Sequence, residues 1–214
     1  MELTTVSDFF LEPYRNREVF LIVLEALAFF FGIASVVYAK KEHIWVYPTG
    51  LIATLITMYI FFQDRLLGDM MLNLYYSIMS VYGWWNWARR KDGEKVVHIT
   101  RTNLREKGIG FLLFLLTLGV TYLVYRLSGT VLEWTNYLDI FTSGVFFTAM
   151  WYMANKKLEN WTLWIFADLI TVPLYAYRGW GMLSLQYLIF TILAIQGYLQ
   201  WKKYMDNDRI PSAA

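Results

Sequence analysis

The sequence predicts an all-α polytopic membrane protein: seven transmembrane helices, built as two parallel three-helix repeats joined by a connector helix (3+1+3). Three observations carry this. The 214 residues are 57% hydrophobic and 19% aromatic but only 17% charged, more apolar surface than a soluble domain of this size can bury. The charges are clumped, and several of the runs between clumps reach about 18–20 residues, enough to cross a hydrocarbon core of roughly 30 Å. The second half of the chain also repeats ordered landmarks of the first.

Taken in order, residues 1–18 lack the basic start and small-residue cleavage site of a signal peptide and read as an interfacial segment. The first repeat, 19–90, holds spans near 19–38, 45–62 and 69–88. A charged cytoplasmic loop (91–108) and the connector helix (109–127) follow. The second repeat, 136–203, holds spans near 136–154, 161–177 and 182–201, and 204–214 is a tail. Pro48 and Pro173 lie in the second and sixth spans, where each is expected to break a backbone hydrogen bond and kink its helix. A bilayer tolerates this only where protein or water takes up the freed carbonyl.

Alternate connections differ in Lys and Arg. The clusters at 40–41, 89–107, 156–157 and 202–209 hold 14; Arg15, Arg17, Arg65, Arg126 and Arg178 make five on the other side. The richer side is cytoplasmic by the positive-inside rule, which puts the N-terminus outside and the C-terminus inside.

The repeat is read from "AKKEHIW" (39–45) against "NKKLENW" (155–161), which pairs Trp45 with Trp161, a spacing of 116 residues. "YGWWNWARR" (82–90) pairs with "QGYLQWKKY" (196–204) through Gly83 with Gly197 and Trp87 with Trp201, a spacing of 114. Three spans return the chain to the opposite side, so direct fusion would invert the second copy. One added span restores its orientation, and parallel repeats of this kind place a substrate site at their interface near the midplane.

Several functions are excluded by absence. With no cysteine there is no disulfide framework, thiolate nucleophile or Cys-based metal site. A net charge of +2 is too small to suggest nucleic acid as a partner, and no G-x-x-x-x-G-K-[ST] loop is present for ATP. His43 and His98 read as separate solvated loop histidines. No cofactor, metal or enzymatic activity is expected.

Asp168 carries the chemistry. It falls near the middle of the sixth span, where an unpaired carboxylate costs a few kcal/mol. Trp161, Trp164, Asp168, Thr171 and Tyr175 share one helical face, spaced i, i+3, i+7, i+10, i+14. Indoles beside a carboxylate, a hydroxyl and a phenol suit a small, flat, polar or cationic ligand. The same residues would also fit an interface belt at Trp161 and a structural partner for Asp168. In the third span Asn73, Tyr76 and Tyr82 are binding candidates, whereas Trp87 and Asn86, next to Arg89, are expected in the cytoplasmic interface belt. Gln186 and Gln196 are candidates in the last span, and Glu25 in the first is expected to pair with a neighbour or snorkel.

The "YGWWNW" ending of the third span, "ENWTLW" (159–164) and "GWGMLSLQYLIFTILAIQG" (179–197) resemble the PnuC family of bacterial vitamin transporters, which take up nicotinamide riboside. The resemblance covers nearly all seven spans. It implies a 3+1+3 fold related to the SWEET sugar transporters, a site in the bacterial inner membrane, and facilitated diffusion by alternating access. It further implies trapping of the vitamin by a separate kinase. It also departs from the family: Asn is common where Asp168 and Gln196 stand, and Ala53 is the position paired with Asp168 in the first repeat. A carboxylate there also suits thiamine, so a transporter of another vitamin or a small sugar is the alternative reading, and a non-transporting scaffold or receptor subunit the different-class one. The partners expected are a small vitamin and the lipid bilayer; a homo-oligomer, three-fold or looser, is compatible.

Overall fold

The computed structural model describes residues 6–63, 67–129 and 131–207; Arg65, Arg209 and the tail beyond 207 lie outside the described residues. A short helix α1 (Val6–Leu11) and a 3-10 turn (Glu12–Tyr14) precede seven long helices. These are α2 (Val19–Lys40), α3 (Val46–Gln63), α4 (Leu67–Ala88), α5 (Leu104–Leu127), α6 (Trp134–Ala154), α7 (Glu159–Tyr177) and α8 (Gly181–Asn207). Four of them, α2, α3, α5 and α8, are long and apolar enough to cross a membrane. In the remaining three, polar side chains are turned inward: α6 buries 13 of its 21 residues, among them Thr135, Thr142, Ser143 and Thr148.

Helix α5 begins at Leu104, not 109, because Asn103 and Glu106 form a capping box. The Glu106 N–H donates to the Asn103 side chain and the Asn103 N–H to the Glu106 carboxylate, both at 2.9 Å. The charged loop before it is also more ordered than its composition suggests. Strands β1 (Arg90–Lys91) and β2 (Glu94–Lys95) form a two-residue hairpin closed by Asp92 and Gly93, both at positive φ.

α2, α3 and α4 pack consecutively, as do α6, α7 and α8; across the seam α2 meets α8 and α6 meets α4. α5 lies along α6, drawn close by Gly110 and Gly144, where an added Cβ would meet the Tyr152 hydroxyl and the Phe114 ring.

A shift of 114 residues relates contacts in one half to contacts in the other. Glu42 (φ 54°) and Lys156 (φ 51°) are the left-handed residues of equivalent turns. The N–H groups of Glu42 and His43 donate to Ala39 and Tyr38; those of Lys156 and Lys157 donate to Met153 and Tyr152. Tyr47 stands edge-on to Trp87 at 5.1 Å and 86°, and Trp161 to Trp201 at 5.5 Å and 88°. Tyr47 lies against Gly83 and Trp161 against Gly197. The Thr57 and Thr171 hydroxyls donate to the carbonyls four residues back, Ala53 and Ala167.

This register corrects the first anchor. The spacing there is 114, not 116, and Tyr47 replaces Trp45 as the counterpart of Trp161. Trp45 is 55% exposed, and the matching KK pairs lie two residues out of step with the turns they flank. The counterpart of Asp168 becomes Thr54 rather than Ala53.

Two further expectations change. Pro48 is the third residue of α3, in the first turn, where an N–H would have no intrahelical acceptor, so it removes nothing and causes no interior kink. Pro173 is inside α7, and close by the Ser184 hydroxyl of α8 donates to the Val172 carbonyl at 2.9 Å. Nor do Trp87 and Asn86 lie in an interface belt: they are 6% and 4% exposed, held by cross-half hydrogen bonds, while Trp84 and Trp85 face outward.

The glycine contacts are testable. Gly197→Ala would force a Cβ to 2.7 Å from the Trp161 ring, and overpacking of this kind costs about 1–3 kcal/mol. Thermal melts in detergent, followed by tryptophan fluorescence, are expected to show a lower midpoint for Gly197→Ala and an equal or slightly higher one for Gly108→Ala, which lies within α5 and whose Cβ would meet nothing within 4 Å.

Candidate functional site

α7 carries its polar face into the interior. Asp168 is 1% exposed, and among the described residues neither carboxylate oxygen has a hydrogen-bond partner. Thr171 is also buried, but its hydroxyl is satisfied within the helix by the Ala167 carbonyl at 2.9 Å. At the equivalent place in the first half, the Thr54 hydroxyl is paired with that of Ser77 at 2.8 Å. One half therefore closes its polar pair internally, and the other leaves a carboxylate unmatched.

Aromatic side chains gather at this stretch of α7, where Tyr76, Phe146, Trp164 and Tyr187 join one cluster with Ala167. Tyr76 of α4 is close enough to Asp168 and Tyr175 to interact electrostatically with both. Trp164 packs against Phe146 of α6 at 5.3 Å, and Phe146 against Tyr187 of α8 at 5.9 Å. Tyr187 meets Tyr175 edge-on at 5.3 Å. Tyr75 stacks on Phe147 at 3.7 Å and 6°, and its hydroxyl donates to the Phe147 carbonyl, which fixes α4 on α6 beside Tyr76. Four helices thus contribute walls to one place: α4, α6, α7 and α8. A carboxylate in such a shell can pair with a cation or accept hydrogen bonds from neighbouring hydroxyls, while the rings hold a flat group.

The sequence-predicted residues divide by depth. Tyr76, Trp164 and Asp168 come together. Asn73 lies one turn from Tyr76 on α4, and its carbonyl accepts from Ser77 at 2.9 Å. Trp161 is two turns from Asp168 toward the start of α7, 2% exposed in the Trp201 cluster. Tyr82 and Gln196 are equivalents under the 114-residue shift, and both bond across the seam between halves. Tyr82 donates to the Asn155 side chain at 3.2 Å, and Gln196 accepts from Lys40 at 2.8 Å. Gln186 is half-buried where α8 passes Gly32 of α2, within 3.9 Å of a Cβ built there. Phe146 and Tyr187 were not singled out in the sequence, because an isolated aromatic residue in an apolar run carries no signal of its own.

Away from these walls, two acids are neutralised. Glu25 meets Arg17 at 2.6 Å. Asp139 receives Arg178 through two nitrogens at 3.0 and 2.6 Å and the Tyr125 hydroxyl at 3.2 Å. These acids are again 114 residues apart. Asp168 differs from both in having no cation beside it among the described residues.

Residues 22–203 match the family model described as nicotinamide mononucleotide transporter. The nicotinamide riboside transporter PnuC of Escherichia coli (strain K12) is 24% identical over 205 residues, which cover 83% of this chain and 84% of that protein. The riboflavin/roseoflavin transporter RibM of Streptomyces davaonensis is 22% identical over 172 residues, 79% of this chain and 80% of its own. The crystal structure of the vitamin B3 transporter PnuC shares the fold, with a TM-score of 0.67 at 24% identity over 92% of this chain and 96% of the other.

An unpaired buried carboxylate destabilises the protein that holds it. Asp168→Asn is therefore expected to keep or raise the detergent melting midpoint, as substitutions in strained functional sites do. A clear fall would mean that the carboxylate makes a stabilising contact in the ligand-free protein.

Proposed function

This chain belongs to the nicotinamide mononucleotide transporter family, whose members are multi-pass membrane carriers and not enzymes, and on that premise we propose that it carries nicotinamide riboside. The observation that carries the choice of substrate class is Asp168, a carboxylate with no cation of its own inside walls of Trp164, Tyr76, Tyr175 and Tyr187. Nicotinamide riboside supplies what is missing: a pyridinium cation for the carboxylate and aromatic faces, and ribose hydroxyls for further acceptors. Trp161, Asn73, Gln186, Tyr82 and Gln196 line the route from that place to the two surfaces.

The seven helices α2 to α8 cross the bilayer as 3+1+3, with α5 the connector that brings the second repeat in parallel to the first. The 114-residue shift and the 14-to-5 split of basic residues support this arrangement, with the N-terminus outside and the C-terminus in the cytoplasm of a bacterial inner membrane. Transport is alternating access without an ion gradient, and a separate kinase traps the vitamin inside. The Pro173 segment of α7 is one moving part. Assembly into a homo-oligomer is compatible with the exposed apolar side of α5.

Counterflow in proteoliposomes tests the reading. Labelled nicotinamide riboside should exchange saturably, and continue to do so when proton and sodium gradients are collapsed. Saturable movement of thiamine alone would reassign the substrate; movement of neither vitamin nor glucose would end the transporter reading for this chain. Within the site, Trp164→Ala is expected to weaken binding by roughly 3- to 30-fold, the range for losing one partly desolvated cation–π contact. Asp168→Asn should weaken it at least as much, measured by calorimetry on protein that elutes as a single species.

A further inference from the structure

The seam between the halves closes on one ion pair. The Lys156 ammonium lies 2.6 Å from a carboxylate oxygen of Glu42, with the lysine side chain 1% exposed and the glutamate 21%. Lys156 also stands over the Trp87 ring at 4.7 Å from its centroid. These two residues are equivalents under the 114-residue shift, each the left-handed residue of its turn. A contact between equivalent residues lies on the approximate two-fold axis relating the halves. Were the halves identical, like charges would meet there and repel; after duplication the two positions carry opposite charges and attract.

Neighbouring contacts share the axis. The Trp87 indole N–H donates to the Met153 carbonyl at 3.3 Å, and the Trp201 indole N–H to the Ala39 carbonyl at 2.9 Å. The two indoles, equivalent to each other, lie 5.9 Å apart. All of this sits at the helix ends richest in Lys and Arg. Burial favours the neutral form of Glu42, but the hydrogen bond and charge of Lys156 outweigh it and hold the carboxyl below its ordinary value. Lys95 of the hairpin adds a second cation at 3.4 Å.

The two turns are not held alike. The segment between β2 and α5 straps the Lys156 turn: the Thr100 N–H donates to the Lys156 carbonyl at 3.1 Å, and the Leu158 N–H returns to Thr100 at 2.9 Å. Glu159 accepts from the Thr102 N–H at 2.9 Å, and Lys157 pairs with Glu106 at 2.7 Å. Among the described residues, the hairpin reaches the Glu42 turn through Lys95 only; the turn's remaining contacts are its internal bonds and those across the seam with Lys156, Trp201 and Gln196.

We propose that Glu42 and Lys156 are the cytoplasmic gate contact of the transport cycle, and that the gate opens by the Glu42 turn moving with α2–α4 away from a strapped Lys156 turn held with α5–α8. The proposal rests on the transporter reading, and the experiment separates the two. The chain has no cysteine, so a single reporter is clean. Met150, 6% exposed on α6 one turn inside Met153, becomes Met150→Cys. Its modification by a membrane-impermeant thiosulfonate is timed in inside-out vesicles.

Glu42→Gln is expected to speed modification by roughly fivefold, the population shift that one partly buried ion pair supports. Lys156→Met should do the same, and the double variant should be no faster than either single one, because both remove the same contact. Glu42→Gln, at the more exposed partner, carries the test if Lys156→Met does not elute as a single species. An unchanged rate in Glu42→Gln, or additive rates in the double variant, overturns the gate. Counterflow run on the same vesicles distinguishes the readings. Faster modification without any vitamin exchange sinks the transporter reading and leaves the opening contact; exchange with an unchanged modification rate sinks the gate alone.

Discussion

Two indole N–H groups hold the molecule's halves together. Trp87 and Trp201 each reach across to a backbone carbonyl at the last turn of the other half's first helix, Met153 and Ala39. In a hydrocarbon surrounding, the apolar faces of two helix triplets have little reason to prefer each other over lipid, so polar bonds and close packing must supply the preference. These bonds do so at one end of the seam only. The opposite end of each half is tied within itself or to its neighbouring segment, through Glu25 with Arg17 and Asp139 with Arg178. A structure pinned in this way can part at that end only by breaking these bonds.

Duplication sets the frame, and divergence makes the site. The Tyr47–Gly83–Trp87 and Trp161–Gly197–Trp201 clusters stayed alike because each fills a space left by a glycine, where neither partner can change size alone. Two turns further along the same helices the halves part. Thr54 closes on Ser77, whereas Asp168 closes on nothing among the described residues. The place of Trp164 is taken in the first half by Gly50, whose Cβ would come within 2.9 Å of the Ser35 hydroxyl. One half closed its polar pair and the other kept an unmatched carboxylate, and so a nearly symmetric frame holds one asymmetric position, the one proposed for the ligand.

Much of the frame was legible in the sequence because bilayers impose coarse rules. Charge-poor runs and the recurrence of glycine and tryptophan depend on residue type alone, and they located the helices and the landmarks that recur between the halves. The finer register was not legible. "KK" recurs at 40 and 156, but the turn conformation, not the lysines, is what the halves share, and only backbone geometry places Glu42 opposite Lys156. Trp87 and Asn86 misled for a related reason: a tryptophan near arginines looks interfacial, yet the neighbouring half covers it. In the site, Asp168 announced itself through its cost, and Trp164 through helical spacing. Phe146 and Tyr187 could not, since their role comes from which helices meet, α6 and α8 against α7.

Asp168 shows what the frame is for. Glu25 and Asp139 each have a cation within reach, and the fold plainly can supply one, as Arg178 does for Asp139 just past the end of the same helix α7. Leaving Asp168 without one costs stability that the clusters at the seam must offset. A native counter-ion there would remove that cost, but it would also occupy the carboxylate and compete with any cation arriving from outside. On the proposed reading the absent partner is the recognition element: Asp168 is half of an ion pair, and a ligand that brings the other half would recover the energy withheld in its absence.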